Sequence, residues 1–184
     1  SAVDKAAHDW VLLLDADEAL GEAGRALIEQ ELRAPRANGY RLPRREWLFW
    51  RWPHPATRPN WHLRLFRRSQ GGLNDVPVHA APEVRGAVRD LPAEFRHYGE
   101  ADLSVRVDKI NRYSSGMAAH KRAGNPALLG LRLLVYPWFA FLRFYVGQRY
   151  FLNGWAGYFA ARSMAFYAFL KYAKVLEAER KERG

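Results

Sequence analysis

Five apolar residues, Trp10-Val11-Leu12-Leu13-Leu14, run unbroken and stop at Asp15-Ala16-Asp17-Glu18. The run is too short for an ordinary helix and lacks the alternation of a half-exposed strand, so it reads as a buried strand of parallel type. In open α/β sheets ligands collect beyond the C-terminal ends of such strands. Two carboxylates one residue apart at that place can converge on a single hard divalent cation. They can equally close a turn, and the residues alone fit both readings.

The following elements build an α/β pattern. Residues 21–33 carry Ala23, Leu27, Ile28 and Leu32 at helical spacing, and Pro35 and Gly39 end the helix. Residues 40–52 alternate loosely and are rich in aromatics, which predicts strand and loop. Residues 62–67, His-Leu-Arg-Leu-Phe-Arg, alternate cleanly as a half-buried strand. Weaker strand patterns fall at 84–88 and 93–98. Beyond Asp102 the period becomes helical. Asp102 caps a predicted helix with Leu103, Val107, Ile110, Tyr113 and Met117 on one stripe. A second helical stretch opens at Pro126 and runs to about Tyr150, with an interruption expected at Pro137. A third covers residues 154–181. The predicted organisation is residues 1–100 as an α/β unit and 101–184 as a helical extension.

Charge separates the partners such a chain meets. The net charge is +10, and residues 109–176 hold ten Lys and Arg without one Asp or Glu. Cations spaced among Leu, Phe and Tyr suit an anionic membrane surface, and a basic solvated face is the plainer alternative. The span 127–146 is long enough to cross a bilayer. Arg132, Arg143 and Pro137 within it point instead to a helix lying in the interface, with the arginine stems snorkelling. A membrane-docking module without chemistry is one alternative reading, and a nucleic-acid-binding module without catalysis is the rival from another class. It is disfavoured because the basic residues alternate with long apolar stretches rather than with a recognisable RNA motif. The absence of cysteine excludes disulfides, thiol catalysis and cysteine zinc sites.

Residues 8–20 resemble the family 2 glycosyltransferases, whose GT-A fold carries a W-V-L-x-L-D-A-D-E run at its metal site. Further segments are similar to one branch, the lipopolysaccharide-core β-glucosyltransferase-like proteins. They are Gly39-Tyr40-Arg41-Leu42-Pro43-Arg44, the run from Trp61 to Arg68, Val78-His79, Phe95-Arg96-His97-Tyr98, and Lys109-Ile110-Asn111-Arg112-Tyr113. The tail, Gly154-Trp155-Ala156-Gly157 through Phe169 to Lys174, matches that branch's terminal helices, so the resemblance covers nearly the whole chain.

The resemblance implies a partial GT-A mixed sheet followed by a membrane-facing helical extension. It implies a fragment without the N-terminal nucleotide-binding half, inactive alone. The parent enzyme is then expected to move a hexose from a UDP-linked nucleotide sugar to a lipopolysaccharide-core or related glycan or glycolipid acceptor. Its place is the cytoplasmic face of the inner membrane, as a peripheral protein. Asp15 and Asp17 are the expected ligands of Mn²⁺ or Mg²⁺. An inverting reaction needs one base for the acceptor hydroxyl. The branch commonly has a Glu after its Val-His pair, where this chain has Ala80, so Glu83 and then Asp75 are the candidate bases. His79 and His97 are candidate contacts to metal or diphosphate, or packed histidines. Trp47 and Trp61 are candidate sugar-stacking residues, or members of a small core. Arg64 is a candidate diphosphate ligand, or a strand residue on a wet face.

Overall fold

The computed structural model describes residues 3, 5–74, 81–99, 102–120 and 126–183. Two compact units divide the chain: residues 1–46 with 59–98, and residues 47–58 with 99–184. The Trp-rich segment 47–58, which the sequence pattern groups with the α/β part, belongs to the helical unit.

The first unit is a mixed α/β structure. It contains β1 (Trp10–Leu12), β2 (Glu18–Leu20), α1 (Glu22–Arg33), β3 (Gly39–Glu46), β4 (Asn60–Arg67), β5 (Gly71–Leu73), β6 (Pro82–Val84), β7 (Val88–Asp90) and β8 (Phe95–His97). The main sheet has the order β1-β4-β3-β8-β2, with β7 also pairing β3, and β5-β6 form a separate two-stranded ribbon. β3 lies parallel to β7 and β8, and its other side is antiparallel to β4. Tyr40, Leu42, Leu65, Phe95, Ala93 and Ile28 form the core of this unit.

One expectation is corrected here. β1 is not a buried parallel strand. It pairs antiparallel with β4, its residues are only half-buried, and it stands at the end of the strand order. An uninterrupted apolar run records burial tendency, not strand direction, and Leu12 and Leu14 satisfy it by packing against the core from the sheet's margin. The weak pattern at 84–88 resolves into the ends of two strands, β6 and β7, separated by Gly86 at φ 89°.

Glu31 ties α1 to β3. Its Oε1 accepts from the buried Tyr40 hydroxyl at 2.8 Å, and Arg36 donates to its other oxygen at 2.6 Å. The Arg36 hydrogen bond, helped by that from Tyr40, holds the Glu31 carboxyl down at about 2.

The helical unit contains α2 (Leu103–His120), α3 (Pro126–Leu142) and α4 (Gly154–Arg183). Asp102 Oδ1 accepts from the Val105 amide at 2.9 Å and caps α2 as expected. The predicted stripe on α2 is corrected: Ile110 is buried, but Leu103, Val107 and Tyr113 are exposed. Among the described residues, one polar contact joins α2 to α4. Lys174 Nζ on α4 lies 2.7–2.8 Å from four acceptors, Asn111 O, Asn111 Oδ1, Ser114 Oγ and Ser115 Oγ, and shares its three N–H groups among them.

Pro137 does not interrupt α3. The helix runs through it, and the irregularity falls later, in a π turn at Arg143–Gly147 and a 3₁₀ turn at Tyr150–Asn153. Asn153 is buried and locks segment 47–58 to this corner. Its Oδ1 accepts from the His54 amide at 2.6 Å, and its Nδ2 donates to Thr57 Oγ1 at 3.0 Å. Gly154 sits at φ 58°, ψ −137°, a conformation open to glycine and strained for other residues. Three residues on, a methyl at Gly157 would lie 1.9 Å from the Tyr150 carbonyl oxygen. The two glycines of the 154–157 segment are thus explained by backbone geometry.

Candidate functional site

Residues 13–17 carry the chain from β1 at one end of the strand order to β2 at the other. The side chains that meet this link come from the strands between. The link closes as a tight turn, with the Glu18 amide donating to Asp15 O at 3.0 Å and the Asp15 amide donating to Glu18 Oε2 at 3.1 Å. This Glu18 carboxylate is wholly buried. Burial strips it of hydration, so it needs a compensating partner, and Arg64 of β4 supplies one. One guanidinium nitrogen, NH2, donates to Glu18 Oε1 at 2.6 Å and to Asp15 Oδ2 at 3.1 Å. Arg44 of β3 adds a second, longer cation at 3.8 Å from Glu18 and pairs closely with Glu46.

The two aspartates differ from Glu18. Their side chains are more than half exposed, Asp15 at 62% and Asp17 at 52%. Asp17 Oδ2 lies 3.1 Å from His97 Nε2 of β8, and Asp17 O accepts from the Tyr98 amide at 2.9 Å. Cross-strand register explains the meeting, because Glu18 of β2 and Glu46 of β3 both pair with His97. The arrangement is therefore a buried anchor, Glu18, that fixes the backbone of Asp15, beside two solvent-facing carboxylates, the second of them held by β8.

Several buried nitrogens around the link have no hydrogen-bond partner among the described residues: Arg44 Nε, Arg64 Nε, His62 Nε2 and His97 Nδ1. Buried polar atoms are rarely left this way in proteins, so the neighbourhood favours an added ligand oxygen or ordered water. No group of three or more His, Asp or Glu among the described residues stands close enough to hold a metal by itself. Two outward carboxylates fit a weaker arrangement. Mg²⁺-like ions commonly take one or two protein carboxylates and complete their shell with water and substrate phosphate.

The other sequence candidates are dispersed. Glu83 is exposed on β6 and accepts from Asn74 Nδ2 at 3.1 Å. Trp61 is exposed on β4. Trp47 belongs to the helical unit, where its indole donates to Phe49 O at 2.8 Å and meets Trp52 edge-on. Asp75 and His79, with Ala80 at the expected base position, lie outside the described residues. Arg64 is nine-tenths buried and turned to Asp15 and Glu18. Sequence reasoning missed the anchoring role of Glu18 and the nearby Arg44 and His62. The acidic residue directly after Asp-Ala-Asp, at the start of a strand, was the signal available for Glu18.

Comparison with known proteins finds relatives that are named as glycosyltransferases. The chain is 28% identical over 180 residues to the lipopolysaccharide core biosynthesis glycosyltransferase LpsC of Rhizobium meliloti, covering 96% of this chain and 67% of that protein. It is 24% and 25% identical over 190 residues to uncharacterized glycosyltransferases of Rickettsia prowazekii and Rickettsia typhi, covering 65% of each. The chain thus spans about two thirds of the length of these curated relatives. No family model matches it. Its relatives support a glycosyltransferase, and the name of one of them ties that relative to lipopolysaccharide core synthesis.

Proposed function

We propose that this chain contributes the metal-binding turn and acceptor half of a family 2, GT-A-type, inverting glycosyltransferase. The parent enzyme transfers a hexose from a UDP-sugar to a lipopolysaccharide-core or related envelope glycan, at the cytoplasmic face of the inner membrane. One observation carries the reading. Asp15 and Asp17 present their carboxylates to solvent from a turn that the buried Arg64–Glu18 pair holds in place.

In this reading Asp15 and Asp17 hold Mn²⁺ or Mg²⁺ together with the donor diphosphate. When bound, the cation neutralises the diphosphate and stabilises it as a leaving group. Arg64 and Glu18 position the ligating carboxylates, and His97 orients Asp17. An acceptor hydroxyl attacks the anomeric carbon opposite the leaving group, and Glu83, or Asp75 in its place, takes the hydroxyl proton. Trp61 offers a flat apolar face to a sugar ring.

The test is UDP release by the full-length parent with Mn²⁺ or Mg²⁺, beside its Asp17→Ala variant. Metal-dependent release that disappears in the variant supports the reading. Absence of turnover with every common nucleotide sugar, together with absence of metal binding, would reduce Asp15 and Asp17 to turn residues.

A further inference from the structure

The helical unit carries a largely exposed apolar surface. Residues Leu128–Gly147 form a span long enough to cross a bilayer, and almost none of it is buried. The exposed side chains on α3 include Leu131, Leu134, Val135, Trp138, Phe139 and Leu142, with Leu134 at 71% and Trp138 at 65%. At ~100° per residue these six fall within an arc of roughly 140°. The opposite side of the helix is the packed one, where Leu129 and Leu133 meet Tyr172 and Val175 of α4.

The margins of this arc are cationic. On the same helical wheel Arg132 and Arg143 lie together along one edge, about three turns apart. The other edge continues into a groove bounded by Pro137, Trp138, Arg162, Phe166 and Phe169. Arg143 and Arg162 lay their guanidinium groups over the rings of Phe144 and Phe141, at 5.9 and 5.7 Å. A guanidinium held over a ring face keeps the N–H groups at its edge directed away from the ring, where they can meet an anionic layer.

We propose that this face of α3, continued onto α4, docks in the plane of an anionic phospholipid bilayer. Leu134, Trp138 and Leu142 enter the acyl boundary, and Arg132, Arg143 and Arg162 meet lipid phosphates. Charge complementarity selects this occupant. Across residues 109–176 there are ten Lys and Arg and no acid, so the surface matches an anionic sheet rather than a second copy of the same cationic face. In-plane docking is favoured over crossing because a spanning α3 would carry Arg132 and Arg143 into hydrocarbon, and one side of it is already covered by α4. The inference rests on the membrane placement in the proposed function and deepens it; vesicle binding and UDP release are measured separately, so either can fail without the other.

The experiment is co-sedimentation of the chain with vesicles of phosphatidylcholine alone or mixed with phosphatidylglycerol, followed by alkaline carbonate washing. The expected result is sedimentation with the anionic vesicles only, released by carbonate. A Leu134→Glu, Trp138→Glu variant, changed only at exposed positions and checked for folding by circular dichroism, should lose binding. An Arg132→Gln, Arg143→Gln, Arg162→Gln variant should bind about a hundredfold more weakly. Equal binding to neutral vesicles, or retention through carbonate, would overturn in-plane anionic docking. So would no vesicle binding together with a dimer that the Leu134→Glu, Trp138→Glu variant dissolves.

Discussion

The Arg64 guanidinium donates to Glu18 Oε1 at 2.6 Å while the same nitrogen reaches Asp15 Oδ2 at 3.1 Å, so one buried cation fixes both ends of the acidic turn. Glu18 is fully buried and Arg64 nearly so. Desolvation makes such a pair a modest source of net stability when intact, yet costly to break from one side. Glu18→Ala is expected to destabilise the sheet unit by roughly 3–5 kcal/mol, because it leaves Arg64 buried without its main acceptor. Glu18→Gln should lose less, since an amide oxygen can still accept. Urea unfolding of the two variants distinguishes them, and equal losses would remove the charge from the argument.

A second consequence concerns metal affinity. Arg64 orients Asp15 without being a ligand, and groups that hydrogen-bond to ligating carboxylates govern how well those carboxylates bind. Arg64→Lys keeps the charge, but its shorter side chain ends before the position of the one guanidinium nitrogen that reaches both carboxylates. Mn²⁺ affinity, read by electron paramagnetic resonance of the free ion, should fall about 10–100-fold. Asp17→Ala should abolish it. An unchanged affinity in Arg64→Lys would show that Asp15 needs no positioning.

Much of this architecture is legible in the residue pattern, and particular elements show why the rest is not. The helix expected over 21–33 and the strand expected over 62–67 are found at 22–33 and 60–67, and Asp102 announces its helix by capping it. β1 misleads because apolar runs do not encode their neighbour's direction, which only the pairing with β4 supplies. The α2 stripe fails because its contact with α4 is made by Lys174 and hydroxyls, which no hydrophobic period reports. At the site, Asp15 and Asp17 stand out in the sequence. Glu18, His62 and Arg44 do not, since their roles arise from cross-strand register between segments far apart in the chain.

The close approach at Gly157 gives a third test. A Cβ there would sit 1.9 Å from Tyr150 O and 2.8 Å from the same carbonyl carbon, so backbone must move to admit it. Gly157→Ala is expected to cost about 1–3 kcal/mol and lower the melting temperature by several degrees. Gly116→Ala is the control: nothing lies within 4 Å of a Cβ at that exposed helical site. It should stabilise by about 0.5–1 kcal/mol, by the ordinary preference of helices for alanine. If both substitutions proved neutral, the tight packing of α4 on the 3₁₀ turn would be wrong.

His62 makes stability depend on pH. The imidazole is half-buried on β4, edge-on to Phe95 at 6.4 Å, and its Nε2 is buried without a partner among the described residues. Burial, followed by the nearby Arg44 and Arg64 guanidinium groups, pushes its pKa down from 6.5 to about 4, against a smaller opposing pull from Glu46. Between those two values the unfolded chain binds the His62 proton and the folded chain does not. Stability must then rise with pH across the window. The contribution is complete above the unfolded value and lost as pH falls toward the folded one. Urea midpoints measured from neutral pH downward should therefore decline through this range. His62→Phe, which keeps an aromatic partner for Phe95, should flatten the decline, leaving only the acid limb near and below 4 where carboxylates such as Glu31 lose their pairing. A His62→Phe protein that kept the whole decline would assign the titration to other groups and remove His62 from the account.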